Sequence, residues 1–248
     1  MAKTVMITGA GSGFGKGTSL ALAERGHRVI ATTETEAQAE ALRAEAPQLT
    51  VEKLDVTSAD VAKVTSWEID VLINNAGAGQ TGPLADVPLE RVRRLFDVNV
   101  FGTLAVTQAV LPGMVERGSG RVIILSSIAG FITGPGFGPY SMTKHALEAM
   151  GKALRSELAG QGIDVTLVNP GPYLTGFNDR MADSMWEWFG EGSLNAPSAP
   201  LFQMVRDFVT GDQRDPAEVV DRLVELTEAE TTDEHNFIPP ELRDQITV

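Results

Sequence analysis

The stretch TGAGSGFGKGTS, Thr8–Ser19, opens where a short apolar run beginning at Thr4 ends, and it leads into a segment of helical periodicity. Glycine-rich turns between a strand and a helix can hold phosphates, because missing side chains let backbone amides and the positive end of the helix approach an anion. Two kinds of turn have to be told apart. A nucleoside triphosphate loop needs G-x-x-x-x-G-K-[ST]; with Gly15-Lys16 at its end, Ala10 stands where the first Gly belongs and Gly17 where the magnesium-binding hydroxyl belongs. The strict dinucleotide fingerprint G-x-G-x-x-G fails too, since it would need Gly at Phe14 or at Lys16. The spacing that fits is T-G-x-x-x-G-x-G, through Thr8, Gly9, Gly13 and Gly15. Taken alone, it could also be only a tight turn with no ligand, the weaker of the two readings.

The surroundings of the turn narrow the choice. Short β-branched runs at Thr4–Thr8, Arg28–Thr32, Thr50–Leu54, Val71–Asn74, Arg121–Leu125 and Asp164–Val168 read as strands, several of them continuously apolar, as in a parallel sheet covered on both faces. Between them, Gly15–Arg25, Glu36–Ala46, Leu89–Glu116, Ser141–Ala159 and Pro216–Glu230 carry apolar residues at helical spacing. Alternating strands and helices predict an α/β fold, a doubly wound parallel sheet flanked by helices, with ligands beyond the carboxyl ends of the strands. A chain of 248 residues, 43% of them hydrophobic, with no composition break or repeat, is read as a single domain spanning residues 1–248. The net charge of −13 argues against nucleic acid and anionic membrane as partners. With no cysteine and three scattered histidines, His27, His145 and His235, neither disulfides nor a zinc site is expected. The start MAKTVMITG has no long apolar run, which predicts a cytoplasmic protein.

Seven motifs in order, TGAGSGFG, LDVT, NNAG, DVNVFG, ILSSIAG, YSMTK and NPGPYLT, lie between Thr4 and about Thr175. With them the chain resembles the short-chain dehydrogenase/reductase family, whose Rossmann-like fold carries a nicotinamide cofactor. The resemblance implies a cofactor site made by Gly9, Ser12, Gly13, Phe14 and Gly15 of the turn, Thr33 and Glu34, Asp55 and Val56, Asn75, Ala76 and Gly77, Pro170, Gly171 and Thr175, together with Tyr140 and Lys144. In the family the residue matching Asp55 contacts adenine, and the one matching Thr175 contacts the nicotinamide carboxamide. Read alone, Asp55 equally suits a strand-end turn and Asn75 a structural hydrogen bonder.

Tyr140-x-x-x-Lys144 puts a phenol and an ammonium on one helical face. At about 6 Å and an effective dielectric near 20, the ammonium favours phenolate by roughly 3 kcal/mol, or about two pKa units. Tyr140 is then the candidate general base for an alcohol proton, and the acid in reverse. The resemblance gives Ser127 the task of holding the substrate oxygen. To Asn99 in DVNVFG it gives a bend in the long helix and, through its backbone carbonyl, a proton-relay water shared with Lys144; read alone, Asn99 is a helix irregularity with a satisfied side chain. The reaction implied is hydride transfer between NAD or NADP and a secondary alcohol or ketone, with a non-catalytic dinucleotide-binding sensor or scaffold as the alternative.

An acid at the end of the second strand can accept the ribose hydroxyls of NAD, so Glu34 beside Thr33 points to NAD over NADP; Lys16 would restore NADP if it swung toward the ribose. A segment at about 176–215, with Met181, Met185, Trp186, Trp188, Phe189, Leu201, Phe202 and Met204, reads as a substrate lid. Phe131 and Phe137 are its expected opposite walls, and an apolar or aromatic substrate is expected; the same residues could instead pack a helical hairpin onto the core or a neighbouring subunit. The chain ends EHNFIPPELRDQITV, Glu234–Val248, without the closing Gly-Gly that many family members carry. A seventh strand is expected to be brief at most. A homodimer through the two long helices, or a homotetramer, is what the resemblance implies.

Overall fold

The computed structural model describes residues 1–246; the last two residues of the closing stretch lie outside the described residues. Seven parallel strands form one sheet in the order β3-β2-β1-β4-β5-β6-β7. They are β1 Thr4–Ile7, β2 Arg28–Thr33, β3 Thr50–Lys53, β4 Val71–Asn74, β5 Gly120–Leu125, β6 Ile163–Pro170 and β7 His235–Ile238. The helices are α1 Gly13–Glu24, α2 Glu36–Glu45, α3 Leu89–Phe96, α4 Thr103–Arg117, α5 Gly138–Glu157, α6 Phe177–Asp183, α7 Ala199–Gly211 and α8 Ala217–Glu228. The expected doubly wound architecture is the one observed, and the seventh strand is indeed four residues long.

The period of two along each strand divides the core into two layers. Val5, Ile7, Val71, Ile73 and Ile123 face one side, with Leu22 of α1, Leu42 of α2 and Leu223 of α8. Met6, Leu72, Val122 and Ile124 face the other, with Val106, Val110 and Met114 of α4 and Leu147 of α5. Both faces are dry, which is why these strands read as unbroken apolar runs. The stretch Leu89–Arg117 is long and apolar enough to cross a membrane, but here Val106, Val110 and Met114 lie in this second core layer.

Some boundaries differ from the sequence expectation. Helix α1 begins at Gly13, two residues early, and α5 at Gly138, so Tyr140 sits in its first turns. Strand β6 runs on to Pro170 because its partner β7 pairs Pro170 with Ile238. The expected helix Leu89–Glu116 is interrupted at Asp97–Gly102, which is one turn of π-helix. Such a turn inserts a residue into the helical repeat, and here it holds Asn99, one of the expected site residues.

The amino ends of the strands are held by charge. Arg121 at the start of β5 is buried, and its guanidinium donates to Asp164 at 3.0 Å, to the carbonyls of Ala229 (2.8 Å) and Glu230 (3.0 Å), and to that of Leu226. It thereby caps the carbonyl end of α8 while Asp164 also accepts from Arg155 of α5 at 2.9 Å. Removing one partner of a buried, fully bonded charge leaves the others uncompensated. Arg121→Ala is expected to cost about 3 kcal/mol in urea unfolding, with activity per folded molecule unchanged, because the site lies at the opposite end of the sheet.

Candidate active site

At the carboxyl end of β1 the chain turns sharply. Gly9 has φ +67°, and a Cβ there would lie 2.8 Å from the Ala76 Cα, so both backbone angle and space demand glycine. Thr8 Oγ1 accepts from the amides of Asn75 and Ala76, each at 3.0 Å, and Asn75 Nδ2 donates to the carbonyls of Thr8 (2.8 Å) and Gly9 (3.0 Å). Ser12 stands at the N-cap of α1, and no side chain caps that helix and no acid occupies its first turn among the described residues. The first amides of α1 are therefore free for an anion.

The turn opens into a cleft of about 1510 Å³ along the carboxyl ends of the strands. Gly9, Ser12, Gly13, Phe14, Thr33, Glu34, Asp55, Val56, Asn75, Ala76, Gly77, Pro170, Gly171 and Thr175 line it. Gly15 does not. A Cβ at Gly15 would lie 2.5 Å from Asn75 Nδ2 and 2.6 Å from the Gly9 carbonyl, so this glycine lets α1 pack behind the turn. Asp55 Oδ1 accepts from the Thr57 amide (2.9 Å) and hydroxyl (2.7 Å), a strand-end turn, while facing the cleft. Lys16 is tied to Glu45 at 2.6 Å and does not line the cleft, contrary to the expectation that it could reach the ribose.

Tyr140, Lys144 and Ser127 line the same cleft. The Lys144 ammonium lies 5.5 Å from the centre of the Tyr140 ring and donates to the Leu125 carbonyl at 2.8 Å. Ser127 Oγ accepts from the Ala129 amide at 3.1 Å and makes only a long 3.4 Å bond to the Pro170 carbonyl. The expected fall in the phenol's pKa is not what this buried site gives. Burial pushes the Tyr140 phenol well above the usual tyrosine range, and the Ser127 hydroxyl pulls only partly the other way. Lys144 is itself pushed down to about 8 by burial, partly offset by the Glu148 carboxylate. The cost of stripping water from both groups outweighs the attraction between them.

Asn99 is 1% exposed and does not line the cleft. Its side chain accepts from the Ala78 amide (2.8 Å) and donates to the Ala78 carbonyl (3.0 Å) and Thr143 Oγ1 (3.0 Å). The π-turn thus aims a side chain that joins the exit of β4 to α5, one residue before Lys144. Glu148 went unread in the sequence. One turn beyond Lys144 and 4% exposed, it accepts from Asn169 Nδ2 at 2.7 Å and meets His235 Nε2 at 2.9 Å. The repeat Tyr140, Lys144, Glu148 at four-residue spacing was the available signal.

The lid differs most from expectation. Trp186, Trp188 and Phe202 all meet Phe189 edge-on, with ring centres 5.9, 6.0 and 5.6 Å away, and none of the four lines the cleft. Phe131 packs against His235 and Phe237, at 5.3 Å from each, so it is no wall. The apolar lining comes instead from Ile132, Phe137, Phe177, Met181, Val205 and Phe208. Phe177 lies 5.9 Å from the Tyr140 ring.

A free helix terminus without acids, an uncluttered glycine turn, and carboxylates Glu34 and Asp55 at the far end of the cleft suit a pyridine dinucleotide, whose pyrophosphate would meet α1. The buried Lys144 supplies a stability signature of its own. Its pKa in the folded chain, about 8, lies below the ordinary lysine value of 10.5, so burial of the charge costs stability below pH 8 and the cost fades as pH rises toward 10.5. Lys144→Met is expected to be more stable than the parent at pH 7 by about 1–3 kcal/mol. The gap should close between pH 8 and 10, as read by paired denaturant titrations.

A family model described as short chain dehydrogenase matches residues 3–186. The fold is similar to the crystal structure of a short-chain dehydrogenase from Streptomyces avermitilis, with TM-score 0.85 and 32% identity, covering 99% of this chain and 92% of that one. It is similar as well to a short-chain dehydrogenase from Sphingobium yanoikuyae in complex with NADPH, with TM-score 0.77 and 27% identity over 98% and 90% of the two chains. In sequence it is 38% identical over 192 residues to retinol dehydrogenase 8 of Homo sapiens, covering 72% of this chain and 61% of that protein.

Proposed function

The chain belongs to the short chain dehydrogenase family and transfers hydride with a nicotinamide cofactor, and from that premise we propose that it interconverts a secondary alcohol and a ketone of apolar or aromatic character. The observation that carries this reading is the convergence of Ser127, Tyr140 and Lys144 on one cleft whose lining also includes the apolar Ile132, Phe137, Phe177 and Met181. The similarity to retinol dehydrogenase 8 supports the apolar character of the substrate alone, since retinol is an apolar primary alcohol.

When bound, the nicotinamide supplies or accepts the hydride. Everything else falls to the protein. Tyr140, kept protonated by burial, is ready to give its proton to a carbonyl oxygen in the reductive direction. In the oxidative direction Tyr140 must first lose that proton, and the ammonium 5.5 Å from its ring and the Ser127 hydroxyl are the groups that favour the phenolate. Ser127 holds its present acceptor at 3.4 Å, weakly enough for its hydrogen to turn to the substrate oxygen and stabilise charge there. Asn99 acts through Thr143 and Ala78, keeping α5 in register with the cofactor side of the sheet. The 176–215 segment closes the cleft as a lid through Met181, Val205 and Phe208. We place the protein in the cytoplasm as a homodimer or homotetramer, with Phe101 of the π-turn and Met142 of α5 exposed for subunit contact.

NAD is the preferred cofactor in this reading, because Glu34 lines the cleft and would repel a 2′-phosphate, while Lys16 is held by Glu45. Glu34→Arg is expected to raise the NADPH to NADH ratio of kcat/KM at least about tenfold; an unchanged ratio would remove the reason for choosing NAD. Tyr140→Phe should lower kcat about 10²- to 10⁴-fold on a responsive ketone and leave NADH affinity nearly intact. Equal losses in turnover and in NADH binding would instead mark Tyr140 as structural.

A further inference from the structure

Arg180, in the last turn of the short helix α6, lines the cleft and makes no ion pair among the described residues. The acids near it on the same helix are engaged: Asp183 pairs with Arg206 at 2.8 Å, and Asp179 accepts from Gln213 at 3.3 Å. Helical side chains lean toward the helix's amino end, and Arg180 lies back over Gly176 accordingly. A Cβ at Gly176 would lie 2.9 Å from its Nη1, and Gly176 has φ +71° besides. Glycine there makes room for the guanidinium as well as for the turn.

Its neighbours say what the cation faces. Thr175, adjacent to Gly176, packs on the glycine turn: its Cβ lies 3.3 Å from where a Gly13 Cβ would be. Arg180 is exposed, and its guanidinium lies over Gly176, next to the Thr175 that packs on the glycine turn. The turn itself brings no cation into the cleft, since Lys16 is paired with Glu45 and does not line it. An unpaired guanidinium lining a cleft that also holds a helix terminus without acids, in a chain of net charge −13, suits a phosphate diester or anhydride.

We propose that Arg180 is a lid-borne clamp for the pyrophosphate of the bound dinucleotide, so that cofactor binding draws α6 onto the cleft. The proposal rests on the nicotinamide-cofactor reading. It distinguishes the pyrophosphate, common to NADH and NADPH, from the 2′-phosphate found only in NADPH, which would lie at the Thr33–Glu34 end.

The test uses the full chain and its Arg180→Ala and Arg180→Lys variants, titrated with NADH and NADPH by nucleotide fluorescence, and with ADP-ribose and adenosine by competition. Arg180→Ala is expected to weaken NADH, NADPH and ADP-ribose about tenfold each, to flatten the salt dependence of NADH binding, and to leave adenosine unchanged. Arg180→Lys should recover part of the loss. Unchanged NADH affinity, an equal loss for adenosine, or a loss confined to NADPH would each overturn the clamp. A parent chain that binds none of the four would overturn the cofactor reading with it, whereas normal parent binding with an indifferent Arg180→Ala would sink the clamp alone.

Discussion

Where β1 ends, two carbonyls, of Thr8 and Gly9, face away from any strand, and the amide of Asn75 at the end of β4 accepts the task of satisfying both. The Thr8 hydroxyl returns the favour by accepting from two β4-side amides. This reciprocal knot sits where the strand order reverses, between β1 and β4, the crevice in which doubly wound sheets bind ligands. It fixes the glycine turn, and hence the position of the first amides of α1. It also fixes the exit of β4, from which Ala78 reaches Asn99, Asn99 reaches Thr143, and Thr143 stands next to Lys144. One continuous hydrogen-bonded path therefore sets the phosphate end and the proton-transfer end of the cleft relative to each other.

The two ends of the sheet use charge differently. At the amino ends, Arg121, Asp164 and Arg155 are bonded on every side and tie α5, α8 and two strands together. At the carboxyl ends, Lys144 keeps its charge in a buried place against the cost of desolvation, with a single carbonyl acceptor and a carboxylate one turn away. A fold that only had to be stable would place no lysine there. The strain is tolerable because the apolar layers on both faces of the sheet are continuous.

Most of the frame could be read from sequence for a local reason: a strand covered on both faces leaves an unbroken apolar run, and Val71–Asn74 was bounded correctly from that alone. The break in the long helix was harder, because the apolar periodicity of Leu89–Glu116 continues through the π-turn, and only the partners of Asn99 reveal it. The motif residues of the cleft fell in place as a group, while Gly15 and Asn99 lie just behind its surface. What sequence hid was tertiary. Phe131 meets His235 and Phe237, and Glu148 meets Asn169 and His235, across stretches with no local pattern to connect them. The lid's aromatic content was plain, but its tryptophans gather around Phe189 and leave the cleft to Met181, Val205, Phe177 and Phe208.

The lid also leaves and rejoins the body at one point. Tyr173 and Arg214 form an isolated parallel bridge, Tyr173 Oη donates to Glu218 at 2.9 Å, and Arg214 pairs with the same carboxylate at 2.9 Å. Because the two ends of the excursion are pinned side by side, the closure entropy of the roughly 40 residues between them changes only slowly with their number. Insertions or deletions in the part of this excursion beyond Met181 would then leave Thr175, Arg180 and the rest of the hydride-transfer frame in place, which gives descendants of this gene, and engineers, a module for acquiring new substrates without refashioning the rest.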